Sequence, residues 1–161
     1  MKYFLVFLSV AVWLLSACAP KQYQVQQPAM IVFKTPTLRY ADLGFIYESD
    51  TEVKVEIYSN AQPLMALQIS GTNICMSSLA CMSKAQFNQK ILSQYYPAEL
   101  LEQIFKGRPI FEGVQMEKNR NGFTQKITAD GKYGIEYSVF NKEILFRDTI
   151  NDILIKVKKQ G

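Results

Sequence analysis

An α+β fold, a curved antiparallel sheet with two short helices on its concave side, is predicted by three observations on this 161-residue sequence. Apolar and polar residues alternate with period two on either side of the chain's middle, as half-buried strands require. Between those two blocks the apolar spacing becomes helical. Short turn-forming connections join the strand segments, which favours an antiparallel meander. Two short amphipathic helices must lay their apolar faces on something, and the sheet is the available surface.

The elements follow in chain order. Lys2 precedes an apolar run from Tyr3 to Leu15, then Ser16-Ala17-Cys18. The run falls short of the roughly 20 residues that span a bilayer, and the small residues sit where a signal peptidase cuts. Residues 1–17 therefore read as a lipoprotein signal peptide, with Cys18 as the lipidated cysteine. Residues 18–29, polar and carrying Pro20 and Pro28, read as a flexible tether, and 30–161 as a single domain. In that domain Phe45 and Tyr47, then Val55 and Ile57 after the Ser49-Asp50-Thr51 turn, alternate with other residues. Leu67 and Ile69 do so again after Asn60-Ala61-Gln62-Pro63.

Ser83 and Gln86 form a capping-box pattern opening a first helix with Phe87, Ile91 and Leu92 on one stripe. A second helix is expected from near Pro97, with Leu100, Leu101, Ile104 and Phe105 as its stripe and Gly107 as its terminator. A loop is expected at 108–122. Strands return with Phe123–Thr128, the Asp130-Gly131 turn, Ile135 and Tyr137, then Phe146, then Ile155 among lysines.

The chemistry open to this chain is narrow. It has no histidine, so the commonest general base and metal ligand are missing. No glycine-rich loop suits a phosphate, and Glu99 and Glu102 read as the wet face of a helix. No catalytic residues, metal site or cofactor are expected, and the chain reads as a non-enzyme. The net charge of +4 is spread out apart from Lys156, Lys158 and Lys159, unlike the footprint of a nucleic-acid binder. Cys75 and Cys81, outside the cytoplasm, read as a structural disulfide stabilising the fold by about 2 kcal/mol; the alternative is a redox-active pair.

From about Ala41 to Lys159 the order of segments resembles the lipoprotein-localisation family of the outer-membrane receptor LolB and, more distantly, the carrier LolA. Phe45-Ile46-Tyr47 followed by Val53–Ile57 is similar to that family's early strand pair. Gln62-Pro63-Leu64-Met65 is similar to its "PLG" turn, and Tyr96–Leu101 through Lys106-Gly107-Arg108-Pro109 to its helix and exit. Asn121-Gly122-Phe123, Tyr133–Tyr137, Ile144-Leu145-Phe146 and Ile153–Val157 follow the order of its closing strands. The family's tryptophans are missing, Met65 replaces a usual glycine, and the cysteine pair is an addition.

The resemblance implies a half-open antiparallel β-barrel with a helical lid over an apolar cavity. Candidate lining residues are Phe45, Tyr47, Val55, Ile57, Leu67, Ile69, Leu101, Ile104, Phe105, Ile135, Tyr137, Phe146 and Ile155. It further implies a lipoprotein-insertion loop at Pro63, Leu64 and Met65, residues that equally suit an ordinary strand start. The implied role is a monomeric, lipid-anchored acceptor on the outer membrane, facing the periplasm. It would take acylated lipoproteins from a periplasmic LolA-like carrier and insert them into the membrane. A sixteen-carbon chain costs on the order of 10 kcal/mol to release into water, so such transfer needs an apolar host. The alternative is a non-catalytic structural or assembly lipoprotein of the envelope, or a surface adhesin, with a packed sheet–helix core. A hollow interior of several hundred Å³ favours the first, a solid one the second.

Overall fold

The computed structural model describes residues 23–76 and 80–161; the expected signal peptide and Cys18 lie outside them. Eleven strands form one sheet: β1 (Val25–Lys34), β2 (Arg39–Glu48), β3 (Glu52–Ser59), β4 (Gln62–Ser70), β5 (Asn73–Met76), β6 (Ala80–Ser83), β7 (Met116–Asn119), β8 (Gly122–Ala129), β9 (Tyr133–Phe140), β10 (Glu143–Asp148) and β11 (Ile153–Lys159). Two short helices, α1 (Lys84–Ile91) and α2 (Leu100–Lys106), separate β6 from β7. The sheet order is β6-β5-β4-β3-β2-β1-β11-β10-β9-β8-β7, every pairing antiparallel. The sheet is thus two meanders joined where the first strand pairs the last, and it does not close.

One face of this sheet and the apolar stripes of both helices share a single buried cluster. Ile31, Phe33, Ile46, Val55, Ile57, Leu67 and Ile155 enter it from strands, and Phe87, Leu101, Ile104 and Phe105 from helices, all fully buried. Ser83 caps α1 with the reciprocal Ser83–Gln86 bonds expected of a capping box, satisfying backbone donors that the helix start would otherwise orphan. Gly107 ends α2 at φ 64°, a left-handed position that glycine adopts without strain.

The structure differs from the expected boundaries in four places. The ordered domain begins earlier than residue 30: Val25–Pro28 already pairs with β2. Pro28 fits there because β11 pairing stops at Ala29–Lys159, and only its carbonyl is used, by Gln160 N–H; no ladder donor is missed. The segment holding the cysteines is a hairpin, β5–β6, in which Cys75 faces Cys81 and is bonded to it. The expected loop at 108–122 contains a short 3-10 turn at Phe111–Gly113 and the edge strand β7. Glu117, Lys118 and Asn119 in that strand are all exposed, so no alternation marks it. Residues 97–99 form a turn before α2, which starts at Leu100.

Candidate functional site

The interior comes first. Val55, Ile57, Leu67, Ile69, Leu101, Ile104, Phe105, Ile135, Tyr137, Phe146 and Ile155 all belong to the buried cluster, none more than 1% exposed. A side chain that no water-sized sphere can touch borders no water-sized void. These residues therefore fill the interior rather than line an open hollow. Two clefts, of about 540 and 580 Å³, lie elsewhere: one beside Phe140 and Lys142, the other beside Phe111 and Val114.

Phe45 and Tyr47 are a correction. They lie on the opposite face of β2, where they pair with Glu56 and Lys54. The Phe45 ring meets the rings of Tyr47 and Tyr58, and that of Tyr47 meets Tyr23. Their neighbours Gly44 and Ile46 face the core instead, opposite Ile57 and Val55. The segment is apolar on both faces, so alternation alone does not orient it. Gly44 is the buried partner because a Cβ there would collide with the Glu56 carbonyl oxygen: the β3 backbone fills the space of a side chain.

The helical layer is clamped by polar groups. The Lys84 ammonium, almost fully buried at the start of α1, pairs with Glu99 and, at 2.8 Å, with Glu102; Glu102 also binds Lys106 at 2.7 Å. Glu99 and Glu102 are therefore not simply a wet face. Burial opposes ionisation of Glu102, but Lys106 and Lys84 outweigh it and hold its carboxyl below the usual range. Between the helices, the Tyr96 hydroxyl donates to buried Asp148 at the end of β10. That carboxylate also accepts from Gly134 N–H at 3.0 Å, Ile150 N–H at 2.9 Å and the Asn151 amide at 2.6 Å. Burial again opposes its charge, and these donors outweigh it, so its carboxyl is also held low. After α2, buried Gln125 donates to the carbonyls of Ile110 and Val114 and accepts from Ile110 N–H. Among the described residues the buried side-chain atoms left without a hydrogen-bond partner are Asn88 Oδ1 and Gln103 Oε1, both in the helical layer.

The third component is the β3–β4 hairpin. Asn60 and Ala61 both have positive φ, 51° and 62°, the pattern of a two-residue turn that follows the strand twist. Pairing steps from Ile57–Met65 to Tyr58–Pro63, leaving Leu64 as the extra residue of a β-bulge, a device that re-aims a side chain. Leu64 is 53% exposed, whereas Met65 points into the core at 5%. Pro63 is exposed. The hairpin thus presents Pro63 and Leu64 outward, and Met65 belongs with the interior.

Among the described residues no three potential metal-ligating side chains stand together, and no helix is long and apolar enough to cross a membrane. No protein-family model matches the chain, and no curated protein sequence matches it.

Proposed function

We propose that this chain is a membrane-anchored acceptor of acylated proteins, related to the LolA/LolB family, whose helices plug the acyl site at rest. The observation that carries the proposal is the apolar stripe of α1 and α2 seated against one face of the sheet, with Leu64 turned outward by a bulge at the β3–β4 hairpin. A half-open barrel is supported by the contacts of α2 with both β3 and β10. Three strands lie between those two in the sheet. In a flat sheet the pair would be about 19 Å apart at ordinary strand spacing, far for one helix roughly 10 Å wide, which favours a sheet that wraps around it.

A solid interior on its own favours the structural alternative; the acceptor requires it to be a resting state that opens on loading. An empty apolar void costs about 24 cal/mol per Å³, so a hollow of 400 Å³ would cost on the order of 10 kcal/mol. That rivals the whole stability of a domain. An unloaded host therefore fills itself with its own side chains, and loading exchanges helix side chains for acyl chain, apolar for apolar. In this scheme Cys18 carries the anchor, Leu64 with Pro63 enters the bilayer, and the periplasmic face of the outer membrane is the location.

The same packed core favours a second reading, a structural envelope lipoprotein that never opens. One experiment separates them: the mature protein with Cys18 replaced by alanine, mixed with a LolA-like carrier loaded with a labelled triacylated protein. Transfer of the label to the protein supports the acceptor. Retention on the carrier, with folding intact by circular dichroism, overturns it in favour of the structural module.

A further inference from the structure

The exposed leucine of the hairpin does not stand alone. Leu64 and Leu43 flank Ile57–Tyr58 of β3 from opposite sides: Leu64 is the bulged residue facing that pair, and Leu43 follows the Gly44–Ile57 pair on β2. Leu43 is the direct cross-strand partner of Met30 on β1, and Met30 on its other side faces Lys158 of β11. All four residues lie on the face of the sheet away from the buried cluster, since their strand neighbours Met65, Gly44, Ala29, Ile31 and Val157 point inward. Leu64, Leu43 and Met30 are 53%, 50% and 43% exposed. They form one apolar row crossing four adjacent strands, about 14 Å from end to end.

Two features of the molecule identify what covers this row. The first is where the chain leaves the structure. Tyr23, the first described residue, sets its ring at a tilt against that of Tyr47 on this same face and donates its hydroxyl to Glu52. Cys18 is five residues earlier, which is at most about 18 Å of extended chain. A lipid on Cys18 would hold this face, and not the one carrying the helices, beside the bilayer. The second is charge. Lys158 ends the row, and among the described residues it has no ion-pair partner, whereas Lys156 binds Glu143 and Lys159 binds Glu48. An apolar row closed by a free ammonium suits the boundary between acyl chains and phosphate headgroups.

The geometry points to a bilayer-apposed face: Leu64, Leu43 and Met30 enter the acyl region of the adjacent leaflet together, with Lys158 at headgroup level, so this part of the sheet lies along the membrane. This rests on the lipid anchor and on the Leu64 role proposed above, and extends them from one residue to a surface.

The test uses full-length lipidated protein in vesicles of phosphatidylethanolamine and phosphatidylglycerol. An environment-sensitive fluorophore is placed singly on Leu64→Cys, Leu43→Cys, Met30→Cys and, as a control on the same face, Glu136→Cys, with lipids carrying a quencher in their acyl chains. Several-fold quenching at positions 64, 43 and 30, with position 136 unquenched, is the expected result. Quenching at 64 alone overturns the row while leaving the hairpin's role and the acceptor function standing. No quenching at any position overturns both the row and the Leu64 assignment and indicates a protein covering this face. Equal quenching at all four, control included, overturns the defined orientation.

Discussion

Phe105 offers the sharpest probe of the interior. It is fully buried on α2, inside the cluster formed with the sheet. Phe105→Ala removes a ring whose neighbours are themselves held in register, so the site collapses only in part. The loss combines the transfer free energy of the ring with that of the remaining void, about 3–5 kcal/mol together. That is a large share of the 5–15 kcal/mol typical of a domain. On the proposed function the void is also an acyl-chain site. A ligand that binds only the folded state adds about 2.7 kcal/mol at a hundredfold excess over its Kd. Urea unfolding followed by far-ultraviolet circular dichroism measures both quantities; the one tryptophan, Trp13, lies in the expected signal peptide and cannot report. The midpoint should fall at unchanged slope, and palmitate should raise it again. A loss under about 1 kcal/mol would refute the packing argument. The full loss with no response to palmitate would refute an exchangeable plug while leaving the core as described.

The remaining predictions concern the hairpin, the sheet, the clamps and the cap. Leu64→Glu should change stability by less than about 0.5 kcal/mol, as exposed substitutions do, yet block incorporation of acylated clients into vesicles; wild-type incorporation would remove Leu64 from the mechanism. Gly44→Ala sets a methyl against the Glu56 carbonyl and should cost about 1–3 kcal/mol, read as a lower urea midpoint. Asp148 and Glu102 are held below the ordinary carboxyl range, so between their unfolded and folded values the unfolded chain binds more protons. Their contribution is complete above about pH 5 and lost progressively as pH falls through the lowered folded values. Asp148→Asn should flatten that acid decline, and an unchanged acid limb would show the carboxylate is not its source. Ser83→Ala removes the capping box of α1 and should cost about 1 kcal/mol in the same urea assay.

Where only one face of a segment is apolar, its orientation was legible before any coordinates. Val53, Val55 and Ile57 alternate with Lys54, Glu56 and Tyr58, and they do face the core. The capping box, the helix stop at Gly107 and the disulfide were legible for the same kind of reason: each is a local interaction among a few neighbouring residues. Leu43–Glu48 was not, because Leu43, Phe45, Ile46 and Tyr47 supply apolar side chains to both faces. What decides between the faces is a long-range fact, the approach of the β3 backbone at Gly44. Strand β7 escaped because an exposed edge strand buries nothing and so leaves no periodic trace.

The candidate site divides along the same line. The Pro63-Leu64 bulge lies within one hairpin, so its outward display depends on neighbours within a few residues, and a short motif can mark it. The interior depends on how far two eight- and seven-residue helices sink into a sheet whose outermost strands, β6 and β7, they connect, and no spacing along the chain encodes that depth. The polar clamps that set it join residues distant in sequence: Lys84 with Glu102, Tyr96 with Asp148, and Gln125 with Ile110. Each pairs a group on the helical segment with one presented by a different element or turn. Read singly, Glu99 and Glu102 are ordinary surface carboxylates and Tyr96 is an ordinary aromatic. Their role comes into being only when the two meanders meet at β1 and β11, bringing β3 and β10 against the same helix. A resting host and a permanently solid module would share that arrangement residue for residue. They part in the free energy of withdrawing the helices, which the palmitate response of Phe105→Ala measures directly.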